Sequence, residues 1–172
     1  MYVTTDEVGE LVTSAGGWIC DRIRTGWDVT VSVEEPCDVR PLHILGVTAV
    51  VVGQPFDSVS RPEEIAAVAF PSRTFDQNEP LRAEVVGVLD RGAAEVTTWG
   101  SVPSEIDGRV RRHQYQLSDV ARAFKTYAVA AAWLPAESVG ATEALYTSRL
   151  AYEAPDDRPH RGGGYRPVQG WR

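Results

Sequence analysis

Three times along this chain, at Gly26, Gly46 and Gly92, a run of helically spaced apolar residues meets a glycine and gives way to a β-branched run. Glycine tolerates the left-handed backbone that closes a helix, so each position reads as a helix stop followed by a strand. Repetition of that unit is the pattern of helices layered on a sheet, and it argues against a bundle or a sandwich. The expected fold is α/β. A single layered domain over residues 5–153 should carry helices flanking a mixed or parallel sheet of about four or five strands. At 172 residues the chain is long enough for one good core and too short for two.

The elements follow from spacing and caps. Val8, Leu11, Val12, Ala15, Ile19 and Ile23 recur on one helical face, with Thr4 or Thr5 as cap, which predicts a helix over 5–24. Trp27, Val29, Val31 and Val33 alternate with polar residues and predict a strand. Asp38 and Pro41 open a short helix that Gly46 ends, and Val47 to Val52 then reads as a strand buried on both faces. That order suggests a parallel crossover, with a hairpin as the competing arrangement. Ser60, Pro62, Glu63 and Glu64 form a helix start for the run Ile65 to Phe70, stopped by Pro71. Asn78, Glu79 and Pro80 start another helix carrying Leu81, Val85, Val88 and Leu89 inward. Ala93 to Trp99 and Arg109 to Gln116 read as strands. Ser118 caps a helix over 118–134 whose stripe is Val120, Phe124, Tyr127, Ala128 and Ala131. Thr142 to Tyr152 fits either a last strand or a short helix.

After Ala154 the composition turns to proline, glycine and arginine, so residues 154–172 form an expected flexible tail. Ordering it would cost on the order of 1–2 kcal/mol per residue, against about 2–3 kcal/mol returned by each of Tyr165, Val168 and Trp171 on burial. Tyr165 and Trp171 are its expected contact residues.

Seventeen basic against 24 acidic residues give a net charge of −7, which disfavours nucleic acid and anionic membrane as partners. Cys20 and Cys37 are the only cysteines and form no CxxC pair, so both are expected as small core residues. The first ten residues are polar and acidic, and the longest apolar runs are too short to span a bilayer. A cytoplasmic setting is expected.

The stretch from Cys20 to Glu35 resembles the second strand of a dinucleotide-binding unit, where an acidic strand end holds a ribose hydroxyl. The glycine-rich turn belonging to that unit must lie between a first strand and the helix, and Met1 to Glu7 reads as neither. Gly16 and Gly17 sit inside the first helical pattern and cost roughly 2 kcal/mol relative to alanines, which calls for close packing or, less simply, an anion contact. His43, His113 and His160 lack metal-ligand spacing, and no hydrolase, deaminase or nucleotide-loop motif is present. No metal and no cofactor are expected.

The concentrated basic feature is Arg109, Arg111, Arg112 and His113, beside Tyr115 and ahead of Arg122 and Lys125. On a strand, Arg109, Arg111 and His113 would share a face able to hold a phosphate, a carboxylate or an acidic partner surface. A charged edge strand, protected against pairing, is the competing reading. Lys125 could serve as a buried imine-forming amine, but with Arg122 one turn before it a solvated flank is favoured. Five tryptophans exceed the needs of one small core and favour surface contacts. Together these features point to a non-catalytic interaction or regulatory protein acting through a partner chain or a homo-oligomer. The alternative is a small-molecule enzyme or sensor that binds an anionic ligand at 109–113.

Overall fold

The structure, a computed structural model, describes residues 1–33, 37–52 and 65–148. The chain runs β1 (Tyr2–Thr5), α1 (Val8–Arg24), β2 (Thr30–Val33), α2 (Arg40–Ile44), β3 (Ala49–Val52), β4 (Ala67–Pro71), α3 (Ser72–Gln77), α4 (Glu79–Arg91), β5 (Glu95–Trp99), β6 (Val110–Gln116), α5 (Asp119–Ala131) and β7 (Thr142–Ser148). These build one α/β domain around a mixed sheet of order β3-β2-β1-β4-β5-β7-β6. The first five strands in that order are parallel, and β7 runs antiparallel to both β5 and β6. The sheet has seven strands rather than four or five.

Both extra strands lie at its centre. β1 is Tyr-Val-Thr-Thr, buried throughout, so Met1 to Glu7 does supply a first strand before the helix. β4 is the run expected as a helix. A short apolar segment carries no period that separates a buried strand from a buried helix, and here all five residues are buried between β1 and β5. The helix start read at Ser60 to Glu64 lies outside the described residues, as do Glu34, Glu35, residues 149–153 and the whole tail with Tyr165 and Trp171.

The core divides by sheet face. One cluster gathers Leu11, Trp18 and Ile19 of α1 with Leu42, Leu45 and the buried face of α5. The other gathers Phe70, Phe75, Leu81, Val85 and Ile106. The crossover from β2 to β3 is parallel despite the five-residue length of α2. β3 is an edge strand rather than a doubly buried one, with Val52 42% exposed. Asn78 caps α4 by accepting from the Leu81 amide at 2.9 Å, and Gly92 closes it at φ +58°. Cys20 is buried as expected, whereas Cys37 is exposed. Among the described helices none is long and apolar enough to cross a membrane.

Of the stripe expected to face inward from α5, Ala128 is buried and the large side chains face outward. Val120, Phe124 and Tyr127 are exposed, and the buried face consists of Ala121, Lys125, Ala128 and Val129. Small alanines let α5 lie close against α1 and α2, which a row of aromatic rings would hold apart. The tryptophan surplus also dissolves. Trp18 and Trp99 are in the core, and Trp27 stacks on the guanidinium of Arg22 at 4.6 Å. Trp133 alone among the described tryptophans is fully on the surface.

Candidate functional site

The sheet's hydrogen-bond ladders lapse at one place in its outer half. β6 and β7 pair along seven residues, but β5 and β7 pair only at Thr97 with Thr147 and Thr98 with Tyr146. Beyond those pairs the strands part, and the carboxyl end of β5 separates from Thr142, Glu143 and Ala144. The wedge is an open cleft of about 340 Å³ lined by Trp99, Gly100, Arg112, Thr142 and Tyr146, with Thr13 and Ser14 of α1 and Lys125 of α5 beneath. Ser72 holds the β5 side in place by donating its hydroxyl to the Trp99 carbonyl at 2.7 Å.

A buried ion pair forms the floor. Lys125 Nζ donates to Glu143 Oε1 at 2.6 Å and to the Thr13 carbonyl at 2.5 Å, and both charged side chains are 1% exposed. Lys125 is therefore no solvated flank, since its Nζ is engaged twice in the interior. Glu143 also accepts the Gly17 and Trp18 amides, at 2.8 and 2.7 Å. In an uninterrupted helix the Gly17 amide would seek the Thr13 carbonyl. α1 stays continuous through both residues, and each of those groups also meets one half of the ion pair, which docks against the middle of the helix. Burial pushes the Glu143 carboxyl above its ordinary range, opposed by Lys125 and the two amides. Gly17 provides the opening: a Cβ there would lie 2.5 Å from Leu117 Cδ2 and 3.1 Å from Glu143 Oε1. Gly16 packs against Leu45. Close packing thus accounts for both glycines, and the anion that one of them meets is internal.

The predicted basic residues are dispersed. Arg111, His113 and Tyr115 alternate with Arg112 and Gln114 along β6 and so lie on opposite faces of the sheet. Arg112 lines the β5/β7 cleft. Arg111 and Arg109 line a second cleft, of about 430 Å³, at the other end of the sheet with Leu89, Gly92 and Ser148. Arg109 precedes the strand and pairs with Asp90 at 2.8 Å. His113 meets Tyr115 edge to face at 6.1 Å. Tyr115 donates to Asp21 at 3.3 Å, and burial beside that carboxylate pushes its phenol up to about 12. Arg122 pairs with Asp119 on the surface of α5. Of the predicted set, only Arg112 and Lys125 share the cleft. Glu143, Trp99, Thr13 and Ser14 were missed, and their only sequence signal was the pair of costly glycines inside α1.

Bonding capacity remains around the cleft and in the core beside it. Arg112 has no ion-pair partner among the described residues. Trp99 Nε1 is a buried donor without a hydrogen-bond acceptor, a state that costs about 1–3 kcal/mol. Lys125 spends two of its three protons on protein, leaving one. The arrangement can hold and orient an anionic ligand.

No family model matches the chain, and no curated protein matches it. Solved structures do. The chain is similar to a deacetylase crystallised with teicoplanin, from the biosynthesis pathway of that antibiotic, at TM-score 0.59 and 12% identity over 86% of this chain and 97% of that one. It is similar to the zinc-inhibited form of teicoplanin deacetylase at TM-score 0.56 and 13% identity, covering 85% and 96% of the two chains. It is also similar to the A40926 pseudoaglycone deacetylase at TM-score 0.56 and 14% identity, covering 88% and 98%. At this identity the likeness is one of fold. It overturns the expectation of a non-catalytic, oligomeric interaction or regulatory protein, since these neighbours are enzymes that act on small molecules.

A zinc-bound neighbour calls for a test of the donor set here. Among the described residues no three His, Cys, Asp or Glu side chains are placed to hold a metal. The nearest approach to such a set, Asp6, Glu7 and Glu10 after β1, is occupied by the Arg73 guanidinium, with contacts of 3.0, 3.3 and 2.9 Å. The described residues do not fit a zinc centre.

Proposed function

We propose that this protein is a small-molecule enzyme of the cytoplasm whose substrate carries a carboxylate or phosphate held in the β5/β7 cleft. Arg112 takes the anionic group, and Lys125 offers its remaining proton from below. The observation that carries this reading is one open cleft above the buried Lys125–Glu143 pair, lined by Arg112, an exposed guanidinium with no ion-pair partner among the described residues. The fold supports it, because deacetylases of the same architecture act on small molecules. The two cysteines, free rather than bridged, suit a reducing compartment.

A thermal-shift screen with phosphorylated and carboxylated metabolites, followed by calorimetry of each hit, tests the assignment. Arg112→Ala should weaken binding at least tenfold, about 1.4 kcal/mol, while leaving the melting temperature of the free protein unchanged. Arg111→Ala, on the opposite face, should leave affinity intact. A screen without hits, or a hit whose affinity survives Arg112→Ala, refutes the cleft as the ligand site.

A further inference from the structure

The sheet has a second place where neighbouring strands part. β1 and β4 pair only at Tyr2 with Val68 and Val3 with Ala69, so their carboxyl ends separate. This is the topological switch point of the sheet: from β1 the chain proceeds outward to β2 and β3, and β4 returns to the other side. Open α/β sheets bind ligands in that crevice. Here it is bridged. Asp6 and Glu7 follow β1, Glu10 lies on the first turn of α1, and Arg73 on α3 reaches across to all three carboxylates. Thr74, next to Arg73, donates to Asp6 at 3.1 Å. A guanidinium brings one positive charge and a planar fork of donors, and it meets carboxylates over the distances a hydrogen bond requires. A metal ion would draw the same oxygens inward to about 2.0–2.6 Å, and the set around Arg73 is wider than that.

We infer that Arg73 is a resident cation standing where a divalent ion would otherwise be needed to hold these carboxylates together, so this chain keeps its switch point closed without recruiting metal. The inference is independent of the β5/β7 ligand, because its readout is metal alone.

Arg73→Ala removes the cation and leaves three carboxylates facing one another, and Arg73→Met does the same while keeping most of the apolar stem. An all-oxygen set suits hard cations, so CaCl2 and MnCl2 are the probes, with ZnCl2 for contrast. The intact protein should show no binding isotherm with any of them at 1:1 stoichiometry, and no rise in melting temperature. Both variants should melt lower, bind one Ca2+ or Mn2+ with a dissociation constant on the order of 0.1–1 mM, and regain melting temperature as the ion is added. Adding Glu10→Gln to either variant should abolish that recovery. One divalent ion bound by the intact protein and lost on Asp6→Asn overturns the inference, as Arg73 would then be yielding its place. Folded variants that bind no ion overturn it too, and so do variants that lose their fold and are not restored by Ca2+ or Mn2+.

Discussion

The two wedges in this sheet begin alike and end differently. In each, a pair of neighbouring strands stays hydrogen-bonded for two residue pairs and then separates toward the carboxyl edge. Between β1 and β4 the gap is crossed by an exposed network in which one guanidinium meets three carboxylates. Between β5 and β7 the charges have moved beneath the gap, into a pair that is almost wholly buried, and the wall keeps Arg112 exposed without an ion-pair partner among the described residues. A topological switch point alone therefore does not locate a ligand site. What matters is whether the polar groups at the opening are already matched, and in this chain the matched wedge is the one at the switch point.

The contrast is broken most forcefully at the floor of the open wedge. Lys125→Met leaves Glu143 buried with only the Gly17 and Trp18 amides, and Glu143→Gln leaves an uncompensated ammonium. Each single change should cost about 3–5 kcal/mol, measured by urea unfolding. The double change Lys125→Met with Glu143→Leu should cost less than the sum, because no charge is stranded. Additive losses would show that the two side chains act separately and that the pair is not the unit docked on α1.

A smaller effect is expected at the glycine that seats the pair. Alanine in a helix interior normally gains about 1 kcal/mol over glycine. At position 17 the new methyl would meet Leu117 at 2.5 and 2.7 Å and the Glu143 carboxylate at 3.1 Å, all of them held in the interior. Overpacking of that kind costs about 1–3 kcal/mol, so Gly17→Ala should be net destabilising. Gly16→Ala meets only the flexible end of Leu45, at 3.1 Å, and should stay near neutral. Calorimetric melting of both variants checks the order, and a stabilised Gly17→Ala would mean that the floor yields easily.

How much of this was legible in the sequence depended on whether position or contact decided each residue's role. Caps and stops were local and readable: Asn78 caps α4, Ser118 caps α5, and Gly92 closes a helix in the left-handed region. The layered α/β class followed from them. The two central strands were hidden for opposite reasons. β1 is only four residues long, with no glycine before it, and β4 is apolar on every side, so neither offers an alternation to read. The site was less legible still. In α5 the aromatic stripe looked like the core face, yet the core took the alanines and Lys125, because the depth of the interface was set by α1 and by Glu143, 18 residues further along the chain. Only the two glycines in α1 announced that something approaches closely. What approaches them could not be read from the chain.

The least disruptive change concerns how the outer half of the sheet is tied to α1. Asp21 on α1 accepts the Tyr115 hydroxyl at 3.3 Å and the Ser118 hydroxyl at 2.5 Å, joining the end of β6 and the start of α5 to the helix that carries the ion pair. Burial and the Asp21 charge disfavour the phenolate and push Tyr115 up to about 12, above the ordinary value of 10.0. The folded state therefore prefers the protonated phenol more than the unfolded chain does. The contribution of this group to stability is fully present below pH 10 and drains away as the pH rises from 10 toward 12. Tyr115→Phe removes the titrating group, so its stability should fall less steeply over that interval than that of the parent protein, while near neutral pH it should lose only the hydrogen bond to Asp21, about 1 kcal/mol. Urea midpoints at pH 8, 10 and 11 separate the two slopes. Parallel slopes would show that Tyr115 titrates as it does in water, and that the tie at Asp21 rests on Ser118.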